Sequence, residues 1–156
     1  MRKRMITAGV VTGLTALGLV TTVATADAMS QSTAAKKFRH AHVTWSSSGN
    51  CTSKGNPHCT SFSGIRADTV SGVVTLKKAS HCKINITGGT EVGHQPGTYS
   101  HGHGYKVDVA HNSCIDRYIK NTFSYIGLRG DGYPQWRSSS GNVYCDEGTH
   151  WDITYF

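Results

Sequence analysis

Two stretches of the chain carry apolar residues at helical spacing and therefore predict helices. The first covers residues 69–80, and Asp68 is its predicted N-terminal cap. The second covers residues 113–126, and Asn112 or Ser113 can cap its first turn. These are the two helices that we expect in the fold.

Other stretches alternate apolar and polar residues, which is typical of strands with one buried face. Strands are predicted over 83–87, 105–109 and 150–155, and residues 133–144 predict a hairpin. In the strand over 105–109, Asp108 lies on the face opposite the apolar residues. The order of elements predicts an α+β fold, with one small, mainly antiparallel sheet and two helices.

The first 28 residues predict an export signal. Basic residues precede an apolar stretch from Ile6 to Val23, and small residues follow at Ala24, Ala26 and Ala28. Cleavage after Ala26 or Ala28 leaves roughly 130 residues, which is the size of one domain. We expect a secreted monomer, extracellular or associated with a cell wall, with no membrane span in the mature chain.

Residues 29–42 contain mainly Ser, Thr, Ala and Lys, and this composition predicts a flexible N-terminal segment ahead of a domain over 43–156. The whole chain has a net charge of +7, which falls to +5 without the charged residues of the signal. A basic exported protein is attracted to anionic polymers such as cell-wall glycopolymers, lipid headgroups or nucleic acid. Solubility alone explains the charge equally well.

Five cysteines in a short exported chain predict disulfides with one thiol left over. Cys51 and Cys59 flank a polar loop, so we expect them to form a local bridge. The other three cysteines allow three pairings, of which we favour Cys114 with Cys145, leaving Cys82 free. The chain has no CxxC pair, which argues against a cysteine zinc site.

Two motifs carry candidate chemistry. His101, Gly104 and Asp108 form HxxGxxxD, and Glu147 and His150 form ExxH just before the last strand. Two imidazoles and one carboxylate can bind zinc and leave its fourth position open to water. Glu147 would then act as the general base.

Together the two motifs resemble those of the zinc D-Ala-D-Ala carboxypeptidases and dipeptidases. This group of LAS-type peptidoglycan peptidases includes phage cell-wall endopeptidases and is related to the hedgehog signalling domain. The resemblance covers roughly residues 64–155 and implies a hedgehog/DD-peptidase-like fold. It implies Zn²⁺ ligands at His101, Asp108 and His150, with Glu147 as the catalytic base. The implied substrates are peptidoglycan peptides.

One feature departs from this pattern. Many members of the family have an arginine in a GYRS-like turn that helps to hold the substrate, whereas this chain has Gly89, Thr90 and Glu91 there. Arg66 or Arg137 is a candidate to replace that arginine. Glu91 is a second candidate for substrate binding and a rival to Glu147 as the base, although it lacks the ExxH context. The departure leaves carboxypeptidase and endopeptidase activity equally open.

Four further polar residues lie near the motifs in sequence. His94, His103 and His111 are expected to be surface or supporting groups rather than ligands. Asp152 lies two residues after His150, where it either orients a ligand or faces water.

Two other classes of function compete with a peptidase. One is a zinc-containing cell-wall binding module without catalysis, as the hedgehog domain illustrates. The other is a basic secreted toxin or nuclease, which would require nucleic acid cleavage that survives the loss of His150. We expect no nucleic acid partner.

Overall fold

The computed structural model describes residues 28–156, so nearly all of the predicted export signal lies outside the described residues. Three helices are present in this part of the chain: α1 (Gln31–His40), α2 (Ala67–Ser80) and α3 (Ser113–Thr122). It also contains nine strands: β1 (Ala28–Met29), β2 (Thr44–Trp45), β3 (Ile65–Arg66), β4 (Asn85–Gly88), β5 (Lys106–Ala110), β6 (Ser124–Leu128), β7 (Pro134–Arg137), β8 (Val143–Asp146) and β9 (His150–Thr154). Between residues 28 and 156, no helix is both long and apolar enough to cross a membrane.

Seven of the strands form one sheet in the order β2-β4-β5-β9-β8-β7-β6. The pair β2 and β4 is parallel, and every other neighbouring pair is antiparallel. β1 and β3 form a separate two-stranded sheet. The predicted α+β class and the mainly antiparallel sheet are confirmed, but the sheet is larger than expected and there are three helices rather than two.

The core lies between the helices and one face of the sheet. Val107 and Val109 of β5 and Trp151 and Ile153 of β9 are fully buried there. They belong to one cluster with apolar residues from all three helices: Ala34, Ala35, Phe38, Val70, Val73, Leu76, Ile115 and Ile119. The strict alternation along β5 and β9 therefore places the polar residues of both strands on the opposite face of the sheet.

The prediction of a flexible segment over 29–42 is wrong for residues 31–40, which form α1. The side chain of Ser30 caps the helix by accepting a hydrogen bond from the Thr33 N–H. Ala34 and Phe38 are completely buried, and the Phe38 ring packs edge-on against Phe62. The buried face of α1 consists of only three residues, Ala34, Ala35 and Phe38, and the rest of the helix is mostly polar. For this reason the composition of the segment suggested a coil.

Two helix boundaries in the structure also differ from the predicted ones. Helix α3 ends at Thr122, because Phe123 has an extended backbone and β6 pairs with β7 from Ser124 onward. The apolar residues around Ile126 that suggested more helix are in a strand at the sheet edge. Helix α2 begins at Ala67, and Asp68 lies in its first turn instead of capping it.

The structure contains the predicted Cys51–Cys59 disulfide and a second bridge between Cys82 and Cys114. The predicted Cys114–Cys145 bridge is therefore wrong, and Cys145 is a buried free thiol. Cys82 follows α2 and Cys114 lies in the first turn of α3, so their bridge joins two helices. Cys145 lies within the sheet on β8, where it is in register with Asp152.

Candidate metal centre

Strands β5 and β9 bring the two sequence motifs together. Their antiparallel register pairs Asp108 with Asp152 and Ala110 with His150. Paired residues point to the same face of a sheet. The carboxylate of HxxGxxxD and the imidazole of ExxH therefore lie side by side on the face opposite the core.

The loop between β4 and β5 brings His101 to the same place. Its backbone turns at Gly104, where φ is +77° and an added Cβ would lie 2.6 Å from the Gly64 carbonyl oxygen. The Gly104 carbonyl accepts a hydrogen bond from the Thr69 hydroxyl at 2.7 Å, which anchors the loop to α2. The glycine of HxxGxxxD is thus required by positive φ and by close packing.

Two imidazole nitrogens lie close to one oxygen of Asp108. His101 Nε2 lies 3.3 Å and His150 Nε2 3.5 Å from Asp108 Oδ1. Ligands of a tetrahedral zinc, each about 2.0–2.1 Å from the ion, lie roughly 3.3 Å from one another. The spacing of these atoms about Asp108 therefore suits a small divalent cation.

Hydrogen bonding supports the same assignment. The His101 Nδ1–H group donates to the Gly89 carbonyl at 2.7 Å, which directs its Nε2 toward Asp108. Asp108 is 7% exposed, and its Oδ1 atom is buried without a hydrogen-bond donor. A buried carboxylate oxygen without a donor is costly unless a cation is nearby. The residues fit a bound metal ion.

His94 also lies at this site, so the expectation that it is only a surface or supporting group needs revision. Ligand atoms of His94, His101 and Asp108 all lie within 4.8 Å of one another, and this group could hold a metal ion. The His94 Nε2–H group donates to Glu91 at 3.1 Å, and Nδ1 lies 3.7 Å from Asp108 Oδ2. An imidazole oriented by a carboxylate is a common arrangement among metal ligands.

The orientation of the two rings separates His94 from His101. Their centroids are 3.8 Å apart and their planes differ by only 13°. The in-plane lone pairs of stacked, parallel rings do not converge on one point, so an ion in the plane of His101 lies outside the plane of His94. His150 shares Asp108 Oδ1 with His101, whereas His94 approaches Oδ2. Among the described residues, however, only the group that contains His94 has all its ligand atoms within 4.8 Å of one another.

The electrostatics of His101 and Asp108 are coupled. Burial alone would lower the pKa of His101, but its close contact with the Asp108 carboxylate and the charge of that group raise it above its ordinary value. Burial would likewise raise the pKa of Asp108, yet the contact with His101 and the charge of that imidazole lower it. Asp108 is therefore ionised at neutral pH and available to a cation.

The predicted base, Glu147, lies between two partners at the site. Its Oε2 atom is 3.1 Å from His150 Nε2, and its Oε1 atom pairs with the Arg129 guanidinium. Arg129 also donates to Asp131 and, at 2.9 Å, to Asp152. The pKa of Arg129 is raised, first by its hydrogen bond with Asp131. Sequence reasoning missed this arginine, which lies outside both motifs in the turn after β6.

The three substrate-facing candidates are not supported. Glu91 is 3% exposed, and its carboxylate is occupied by His94 and backbone N–H groups, so it supports His94 instead of facing a substrate. Arg66 stacks on Tyr105, with its guanidinium carbon 4.1 Å from the ring centroid, and pairs with Asp68. Neither Arg66 nor Arg137 lines the cavity at the site.

That cavity has a volume of about 490 Å³ and is open to solvent. Its lining includes the groups described above: His94, His101, Asp108, Arg129, Glu147, His150 and Asp152. His103 and His111 do not line it. His103 contacts the Gly97 carbonyl, and His111 lies between Asp116 and Asp146.

No protein-family model, curated protein or solved structure gives a significant match to this chain. The resemblance to zinc peptidases therefore depends on the two sequence motifs alone.

Proposed function

We propose that the protein is a secreted zinc-dependent peptidase that hydrolyses peptide bonds of peptidoglycan. The observation that carries the proposal is the buried, donor-free Oδ1 atom of Asp108, which lies within 3.5 Å of both His101 Nε2 and His150 Nε2. The nearby carboxylate of Glu147 supplies the base that such a reaction needs. The two disulfides are consistent with an oxidising, extracellular environment.

Each residue of the site then has a distinct task. Zinc held by His101, Asp108 and His150 would polarise the scissile carbonyl and lower the pKa of water at the site to about 7. Glu147 accepts the proton of the attacking water through Oε2 and donates it to the leaving amine. Arg129 holds Oε1, so that Oε2 stays directed toward the metal ligands.

The charges of the cavity favour an internal peptide bond over a C-terminal one. A carboxypeptidase needs a cation that is free to bind the terminal carboxylate of its substrate. Lys106 pairs with Asp152 at 2.6 Å, and Arg129 pairs with Glu147, Asp131 and Asp152. Since these cations already have carboxylate partners, we favour an endopeptidase that cuts within wall peptides.

The test compares Glu147→Gln with wild type in the hydrolysis of purified muropeptides, followed by the release of new amino groups. We expect Glu147→Gln to keep its zinc and to lose roughly 10²–10⁴-fold in kcat, because the general base is removed. Asp68→Asn, an exposed substitution away from the cavity, is the matched control and should retain full activity. Undiminished hydrolysis by Glu147→Gln would exclude Glu147 as the base.

A zinc-containing wall-binding module without catalysis is the second candidate. The pairing of Glu147 Oε1 with Arg129 favours it, because this ion pair already occupies one oxygen of the carboxylate that would serve as the base. In this case wild type would bind zinc and wall fragments but release no amines. The same muropeptide assay, with and without a chelator, separates the two functions.

A further inference from the structure

Asp152 lies beside the three proposed ligands and has no assigned role. It is directly opposite Asp108 in the register of β5 and β9, on the same face of the sheet. Its side chain is only 7% exposed, although it is a charged group. Like charges directly opposite each other on neighbouring strands destabilise a sheet, so this pair requires compensation.

The two oxygens of Asp152 have different surroundings. Oδ2 accepts hydrogen bonds from Lys106 Nζ at 2.6 Å and from Arg129 Nη1 at 2.9 Å. Oδ1 is buried, has no hydrogen-bond donor and lies 3.8 Å from His101 Nε2. Lys106 and Arg129 therefore hold the Asp152 carboxylate through Oδ2. Its other oxygen, Oδ1, lies on the side of the candidate metal centre.

The donor-free oxygens of Asp108 and Asp152 point to a common partner. Each is buried on the cavity side of the sheet, and each lies within 4 Å of the same nitrogen, His101 Nε2. Leaving two such oxygens without a partner would be costly in a folded protein. A divalent cation between them would balance both negative charges.

We propose that Asp152 Oδ1 is a fourth protein donor to the metal ion. The protein ligands would then be two imidazoles and two carboxylates, and the attacking water would be a further ligand. Lys106 and Arg129 orient the new ligand through Oδ2, as hydrogen-bonded partners commonly orient metal-bound carboxylates. This inference rests on the metal centre of the proposed function, but not on the reaction carried out there.

The test measures metal affinity instead of activity. Wild type, Asp152→Asn and Asp68→Asn are stripped of metal, checked for folding by circular dichroism and titrated with Co²⁺ while its visible absorption is recorded. Asp68 is the matched control, because it is an ion-paired aspartate that is 60% exposed and lies away from the cavity. We expect Asp152→Asn to bind Co²⁺ about 10–100-fold more weakly with a changed spectrum, and Asp68→Asn to match wild type.

A second variant guards against a folding defect. Asp152→Ser keeps a hydroxyl for Lys106 and Arg129 but cannot place a carboxylate at the ion, so the same loss of affinity is expected. An unchanged affinity and spectrum in either folded variant would overturn the role of Asp152 and leave the proposed peptidase intact. Failure of wild type to bind Co²⁺ would overturn both.

Discussion

Glu91 shows how a single acidic residue supports the candidate site from behind it. Its carboxylate accepts hydrogen bonds from the Ser61 and Gly89 N–H groups and from the His94 ring. Burial alone would raise the pKa of Glu91, but these hydrogen bonds lower it below the ordinary value of 4.5. The ionised carboxylate of Glu91 is therefore more stable in the folded protein than in the unfolded chain.

We expect this preference to appear in the pH dependence of stability. The contribution of Glu91 is present above about pH 4.5 and is lost as the pH falls through its lowered pKa in the folded state. At pH 7, Glu91→Gln should lower the free energy of unfolding by about 1–3 kcal/mol, because buried donors lose a charged acceptor. Urea unfolding with chelator present, at several pH values, measures the difference.

The difference between wild type and Glu91→Gln should become smaller toward pH 3. Asp68→Asn, which changes an exposed acid, is the control for a general charge effect. A difference of the same size at every pH would show that Glu91 acts only through packing.

At the scale of elements, the strands that form the site could be predicted and some of their neighbours could not. In β5 and β9 the alternate residues Val107, Val109, Trp151 and Ile153 are completely buried in the core, so the alternation of the sequence indicates which side chains face the site. Residues 123–128 are different, because pairing with β7 makes them a strand although their apolar residues continue the spacing of α3. Local pattern carries no information about such pairing.

The disulfide between α2 and α3 makes a further prediction. Residues 82 and 114 are 32 positions apart, and a bridge that closes a loop of this length stabilises a protein by roughly 3–4 kcal/mol. The double substitution Cys82→Ser, Cys114→Ser should lower the free energy of unfolding by about this amount. Chemical denaturation under non-reducing conditions measures it.

Thiol mapping provides the control for this experiment. In unfolded, oxidised wild type one thiol should be alkylated, and peptide mass analysis should place it at Cys145. In the folded protein that thiol should resist alkylation, because burial raises the pKa of Cys145 to about 11. A free thiol at Cys82 would contradict the observed pairing.

At the scale of the whole molecule, charge is distributed unevenly. The cavity is lined by four acidic side chains, Asp108, Asp131, Glu147 and Asp152, and by two basic ones, Lys106 and Arg129. The helices α1 and α2 carry five cations and one acid: Lys36, Lys37, Arg39, Lys77, Lys78 and Asp68. The cavity is therefore acidic on balance, whereas the two helices on the other side of the sheet are basic.

Only some of the residues at the candidate site could be predicted, and the difference depends on which part of the fold carries each residue. His101, Asp108, Glu147 and His150 could be found because they belong to short motifs. Arg129, His94 and Glu91 reach the site through turns and loops, which have no regular pattern, so their positions depend on the complete fold. Asp152 lies on β9 two residues after His150, as the alternation predicts, but the different surroundings of its two oxygens depend on the complete fold.

The most direct test of the central claim is the metal content of the purified protein after dialysis against metal-free buffer. We predict one zinc ion per chain in wild type, as expected for a site with these donors, and a large loss of zinc in Asp108→Asn and His150→Ala. Asp68→Asn should retain the wild-type content. Wild type without bound metal, or undiminished zinc in Asp108→Asn, would contradict the account.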